Sequence, residues 1–133
     1  MIPQPEPEIV EELKAANQRF YDAFSDLDIA GMDLVWENSE RAMCVHPGWS
    51  PLIGWESVRI SWERIFQNTA LMQFQVRYLN VVVQGKFGFV TCVEGITSVV
   101  QGTATNFSTF ATNIFARYPD GWRMVAHHAS QGG

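Results

Sequence analysis

The chain has 133 residues, a net charge of −5 from 9 Lys+Arg and 14 Asp+Glu, and 17% charged residues, against a globular average of about 25%. Aromatics reach 13%, with nine Phe, five Trp and three Tyr, and 47% of the chain is hydrophobic. These figures exclude a disordered chain and, with no clustered Lys and Arg, a nucleic-acid partner; they suit one domain with a sizeable core.

Residues 1–7 form a Pro-rich flexible arm ahead of a single domain covering 1–133. Ile9, Leu13, Ala16, Phe20 and Phe24 then recur at helical spacing and mark one buried face. Asp28 is placed to cap a second, short helix carrying Met32, Val35 and Trp36. Residues 41–46 read as a strand stopped by Pro47-Gly48. After Gly54 a third helix presents Trp55, Val58, Trp62, Ile65 and Phe66 on one face.

The period then changes. Residues 71–83, 87–100, 107–118 and 122–129 are rich in Val, Phe, Thr and Ile and predict four strands, with turns at Gln84-Gly85 and Asp120-Gly121 and a polar link at 101–106. Helices followed by an antiparallel meander make the fold α+β. In the first hairpin, parity puts Phe74, Val76, Tyr78 and Val82 with Phe87, Phe89, Thr91 and Val93 beneath the helices. Gln75, Arg77, Leu79, Val81, Cys92 and Glu94 fall on the opposite, mixed face, of the kind two subunits share. In the last hairpin, a turn at Asp120-Gly121 sets Asn113 beside His128 and sends His127 to the other side.

Cys44 and Cys92 form neither a disulfide framework nor a metal-ligand spacing. The N-terminus lacks the basic and apolar regions of a signal peptide, and no stretch approaches the roughly 18 apolar residues that span a bilayer. The expected address is the cytoplasm, with no membrane partner.

His46 ends a strand just before Pro-Gly, where a rigid element aims an imidazole into a cleft, and histidine is readily tuned as a proton acceptor. The competing reading is a histidine bonded to a nearby carbonyl. Asn113, on a strand among Phe and Ala, either donates to a developing oxyanion or makes a structural bond, and His128 has the same two readings. No nucleophile elbow, phosphate-cradling loop or metal-ligand set is present, so neither a cofactor nor a metal is expected.

Arg19-Phe20-Tyr21-Asp22-Ala23-Phe24, Val45-His46-Pro47-Gly48 with Leu52-Ile53-Gly54 and Ser61-Trp62, and Asn113-Ile114-Phe115-Ala116-Arg117-Tyr118 with Gly121-Trp122-Arg123-Met124-Val125 resemble the nuclear transport factor 2-like superfamily, in particular its SnoaL-like and ketosteroid-isomerase-like branch. The resemblance runs from about residue 8 to 130. It implies a cone: a strongly curved antiparallel sheet wrapped around three N-terminal helices, with an apolar pocket at one end and frequent homodimers through the outer sheet face. It also implies that His46 takes the place of a carboxylate base before a proline, Asn113 that of an acidic oxyanion donor, and Phe20 that of a helix-one tyrosine, with Tyr21 one residue off that face. All three depart from the steroid-isomerase pattern, so that reaction is not carried over.

The expected function is a pocket for an apolar small molecule, with isomerase, cyclase or dehydratase chemistry on a carbonyl compound. His46 is the expected proton acceptor, Asn113 and His128 hold the oxyanion, and Tyr21, Trp36, Trp49, Trp62, Phe66 and Tyr78 line the pocket. The alternatives are a non-catalytic ligand-binding module and a homodimerisation or assembly domain.

Overall fold

The computed structural model describes residues 6–132. Of the expected arm, residues 1–5 lie outside the described residues, and Pro7 already opens the first helix. That helix, α1 (Pro7–Ser25), begins where a missing N–H leaves nothing unsatisfied, and it buries Leu13, Ala16, Phe20, Tyr21 and Phe24. A second helix, α2 (Ile29–Val35), follows Asp28, which stands at the cap position with extended backbone but makes no side-chain capping bond. The third, α3 (Trp55–Gln67), buries Val58, Ser61, Trp62 and Phe66.

The strands are β1 (Met43–Val45), β2 (Leu52–Ile53), β3 (Thr69–Gln84), β4 (Phe87–Val100), β5 (Thr103–Tyr118) and β6 (Gly121–Gln131). They form one sheet in the order β2-β1-β6-β5-β4-β3, in which β1 lies parallel to β6 and every other pair is antiparallel. The two-residue β2 is too short to leave a pattern in the sequence. The expected link at 101–106 is mostly strand; Gln101-Gly102 alone make the turn, with φ of 50° and 81°, as a primed two-residue hairpin requires. The sheet curls around the helices as an open cone.

Three β-bulges set which side chains face inward, the first at Ala70, which brings both Thr69 and Met72 to the buried side. Further along β3 a second extra residue, Leu79, lies between the pairs Tyr78–Cys92 and Asn80–Thr91. One inserted residue exchanges the two faces of everything beyond it. Phe74 and Val76 therefore share the inner face with Ile96 and Glu94, not with Val93 and Thr91, and Glu94 is buried rather than part of the outer face. In β6 the extra residue is Val125, between Phe115–Met124 and Ile114–Ala126. The turn there is Pro119-Asp120, and Asn113 faces His127, while His128 pairs with Thr112 on the exposed side. The expected placement of the two histidines is thus reversed.

Aromatic side chains fill the interior. Phe24 meets Trp62 and Phe74 at ring-centroid distances of 4.7 and 4.5 Å, and Phe20 meets Trp62 at 5.7 Å. Each large side chain removed from water contributes about 1.5–3 kcal/mol, so this cluster is the main holding force between α1, α3 and the sheet. Away from it, Arg41, Ser39 and Tyr118 all donate to the buried Glu37, whose carboxyl is held down to about 2 chiefly by the Arg41 hydrogen bonds. This clamp ties the segment after α2 to the end of β5.

At Gly88, on β4, the Leu13 side chain of α1 and the neighbouring strand leave no room for a side chain. A methyl group there would stand 2.7 Å from Leu13 Cδ2 and 3.1 Å from the Val82 carbonyl oxygen. Gly88→Ala is expected to destabilise the fold by about 1–3 kcal/mol through overpacking, read as a lower urea midpoint with an unchanged m-value.

Candidate functional site

A cavity of about 490 Å³ opens between the ends of α1 and α3 and the inner faces of β3 to β6. Phe24, Ile65, Met72, Ile96 and Phe107 supply its apolar wall, and His46, Thr69, Glu94, Ser98, Thr109 and His127 its polar groups. Pro47, Gly48 and the half-exposed Trp49 form part of the rim.

His46 reaches the cavity because β1 pairs with β6 and then stops. Pro47 and Gly48 (φ 81°) occupy the central positions of a turn in which the Trp49 N–H donates to the His46 carbonyl at 2.9 Å, the residue pattern of a type II turn. The imidazole is 4% exposed and is boxed by Trp62 and Trp49, with centroids at 4.7 and 4.8 Å. Its Nε2 lies 2.9 Å from Ser61 Oγ, and the Ser61 hydroxyl donates to the Val58 carbonyl at 2.6 Å. Ser61 must therefore accept from His46, which puts the ring hydrogen on Nε2 and leaves on Nδ1 a lone pair that the Cys44 thiol, 3.8 Å away, can meet.

On the opposite wall a hydrogen-bond chain joins β6, β5, α1 and β4. His127 Nδ1 is 2.6 Å from Asn113 Oδ1; Asn113 Nδ2 donates to Asn17 Oδ1 at 2.8 Å and to Tyr21 Oη at 3.1 Å. Tyr21 donates to Glu94 Oε2 at 2.5 Å, and Thr109 donates to Glu94 Oε1 at 2.5 Å. With Glu94 ionised, the direction of the whole chain is fixed. Tyr21 gives its hydrogen to the carboxylate, so it accepts from Asn113, whose amide oxygen then accepts from His127 Nδ1. The lone pair of His127 is on Nε2.

Burial sets the electrostatics. It pushes His46 down to about 3, helped by His127, and His127 down to about 3, helped by His128. Glu94 moves the other way: burial raises it above the usual carboxylate value, against the lowering effect of the Thr109 and Tyr21 hydrogen bonds. Among the described residues none of the ion pairs involves Glu94. The site thus holds two uncharged imidazoles and one carboxyl that is more basic than either. No cluster of three or more His, Cys, Asp or Glu suited to a metal occurs among the described residues.

Several expected site residues lie elsewhere. His128 is exposed on the outer face, turned there by the Val125 bulge. Asn113 is fully buried, but both its N–H hydrogens are committed to Asn17 and Tyr21, so it has none left for an oxyanion. Of the aromatics, Trp49 lines the cavity. Trp36 stacks on Trp55 in the core, Trp62 and Phe66 back the wall without surfacing in it, and Tyr78 sits half-exposed beside Lys14. Tyr21 is inward, not off the face, and its hydroxyl reaches Glu94.

Glu94 and His127 are the two residues that sequence patterning misses. Gln101-Gly102 carries the signal for the first. Read as a two-residue turn, it sets Glu94 opposite Thr109 and Val90 opposite Asn113, all on one face. For His127 the deciding feature is the bulge at Val125, which leaves no local mark in the sequence.

Buried neutral imidazoles make the fold acid-sensitive. Each histidine has a folded value near 3 against an ordinary 6.5, so the unfolded chain takes up more protons in that interval. The stability they secure is complete above pH 6.5 and falls as pH drops towards 3, by up to about 1.4 kcal/mol per pH unit for each ring. Glu94, raised from 4.5, acts in the opposite sense: it favours the fold at low pH and loses that contribution as pH rises through its folded value. Thermal unfolding between pH 7 and 4 should show a falling midpoint, and His46→Gln with His127→Gln should flatten the fall.

The described residues contain no helix long and apolar enough to cross a membrane. Among solved structures, a candidate dehydratase of the nuclear transport factor 2-like family from Streptomyces avermitilis is 35% identical, with 93% of this chain and 96% of that one covered and a TM-score of 0.87. A candidate calcium/calmodulin-dependent protein kinase type II association domain from Thiobacillus denitrificans is 31% identical over 100% of both chains, with a TM-score of 0.80. The F-box protein SKIP8 of Arabidopsis thaliana is 26% identical over 116 residues, 87% of this chain; the chain spans about half (48%) of that protein's length. The family model of the SnoaL-like domain matches residues 13–132, and the chain belongs to that family, within the nuclear transport factor 2-like superfamily.

Proposed function

We propose that the chain is an acid/base enzyme of isomerase, cyclase or dehydratase type, acting in this cavity on a small, largely apolar compound whose C–H is acidified by a neighbouring carbonyl. One observation carries the reading. Glu94 is a buried carboxyl of raised basicity in the same cavity as two imidazoles held neutral. A proton released there goes to Glu94 before either ring, so Glu94, and not His46, is the proton acceptor in this proposal. His127 orients the substrate through its lone pair, His46 helps to wall the cavity, and Asn113 and Ser61 position the two rings.

The step is a proton relocation. The substrate C–H bond breaks, its proton goes to a Glu94 oxygen, and the electron pair delocalises onto the carbonyl oxygen. Return of the proton to a neighbouring carbon completes an isomerisation. Return to a departing hydroxyl breaks the C–O bond and releases water. No covalent intermediate with the protein is needed. The similarity to a candidate dehydratase at 35% identity supports this class without naming a substrate.

Hydrogen–deuterium exchange at the acidified carbon of a panel of hydroxylated cyclic ketones, followed by NMR, tests the reading. Glu94→Gln is expected to lower the rate by about 100-fold or more, while ligand-induced thermal shifts persist. A rate that survives Glu94→Gln but is lost in His46→Ala would return the role to His46. Binding without exchange on any ketone would make the chain a ligand-binding module.

A second reading, assembly through the outer sheet face, is favoured by Leu71, Phe87 and Phe110, which leave 41%, 46% and 51% of their surface exposed. They lie there among Gln73, Gln75, Arg77, Thr91 and Thr112, a mixed face suited to a second copy of the chain. Light scattering at micromolar concentration should give the mass of a dimer, and Phe110→Asp the mass of a monomer. A monomeric wild-type chain would remove this reading.

A further inference from the structure

We propose that the cavity selects two-ring ligands carrying at least two O–H groups, over ligands whose polar atoms are only carbonyl or ether oxygens. The inference rests on the reading of Glu94 as the ionised working group of the cavity, and it concerns what that cavity binds. It follows from where the hydrogens of the lining side chains already go.

His46 gives Nε2–H to Ser61 Oγ, and His127 gives Nδ1–H to Asn113 Oδ1. Thr109 and Tyr21 give theirs to Glu94, and Thr69 donates to the Ile65 carbonyl at 2.6 Å. Ser98 and Thr105 share one hydrogen bond at 3.0 Å and keep a single spare hydroxyl hydrogen between them. What the interior side chains offer a ligand is therefore lone pairs, those left on Glu94 and Nε2 of His127; Nδ1 of His46 lies 3.8 Å from the Cys44 thiol, which can donate to it. The remaining side-chain N–H groups of the lining, on Trp49 and Gln131, belong to exposed residues.

A carbonyl or ether oxygen taken deep into this cavity gives up hydrogen bonds to water and meets other acceptors. A hydroxyl gives up the same water and gains an acceptor, in one case a charged one. Sites that bond a particular O–H discriminate strongly, because the mismatched ligand leaves their own buried groups unpaired. A volume of about 490 Å³ bounded by Phe24 and Phe107 accommodates a two-ring frame.

Calorimetric titration at mildly alkaline pH with a naphthalenediol, its dimethyl ether and a tetralone tests the proposal. The diol should bind tighter than either competitor by about tenfold or more. Equal or tighter binding of the ether or the ketone overturns it, and so does the absence of binding by all three. Glu94→Gln puts an N–H donor where a carboxylate oxygen stood and should narrow the gap; an unchanged gap removes Glu94 from the selection and overturns it too. Long-range proton–nitrogen NMR on imidazole-labelled protein reads the tautomers independently of any ligand. Hydrogens on Nδ1 of His127 and Nε2 of His46 are expected, and a hydrogen on Nε2 of His127 would sink the proposal. Its failure is distinct from that of the proton-transfer reading. Turnover lost in Glu94→Gln with no preference for the diol leaves catalysis standing, and a preference without turnover does the reverse.

Discussion

The hydrogen bond from Tyr21 to Glu94 is the interaction on which the rest of the site depends. A carboxyl 1% exposed is a heavy burden on a small domain once it is ionised, because its charge loses bulk water and no ion pair among the described residues offsets it. Two short hydroxyl donors, one from α1 and one from β5, replace part of that hydration. In doing so they bind the helix to two strands of the sheet at one point. They also orient everything upstream: Tyr21 must accept from Asn113, and Asn113 must accept from His127. When Glu94 is ionised, its charge thereby determines the tautomer of a ring three contacts away.

Aromatic packing and polar chemistry are two aspects of one arrangement. Trp62 stands edge-on to His46, and Phe20 lies 4.9 Å from the His127 ring. These neighbours keep water away, and that lowers the affinity of both rings for a proton while raising that of Glu94. The surplus of aromatics in the composition is thus absorbed mainly by the wall behind the site. The cavity surface itself is more mixed, with aliphatic side chains, hydroxyls and the three titratable groups. Large rings here act as the dielectric in which those groups operate rather than as a platform on which a ligand lies.

Much of the architecture was readable from residue spacing. The steps between Leu13, Ala16, Phe20 and Phe24, the Val- and Thr-rich second half and the Pro47-Gly48 stop all act locally, through side-chain period and backbone preference. The position of His46 at the end of a short strand belongs to the same class. Faces of the long strands do not, because they depend on counting from a turn, and a bulge resets the count without changing the composition. Leu79 and Val125 each did so, which hid Glu94 and exchanged the two histidines. The roles of the aromatics were hidden for another reason: whether a Trp surfaces in a cavity or stands behind it is decided by how α3 sits against the sheet. Asn113 was visible as a buried amide, but its lack of a free donor follows from Asn17 and Tyr21, both on a distant helix.

The adjacent pair His127-His128 has a consequence for how the site tolerates change. Strand side chains alternate, so any slip of β6 by a single position exchanges the two rings between interior and surface. If the Val125 bulge were smoothed into regular pairing from the same turn, His128 would turn inward opposite Ala111, and His127 would face out. The inner wall would still carry an imidazole, displaced along the strand and parted from Asn113. Doubling the histidine therefore buffers the chemistry of this wall against insertions, deletions and register errors in its last strand, although the hydrogen-bond chain serves only one of the two.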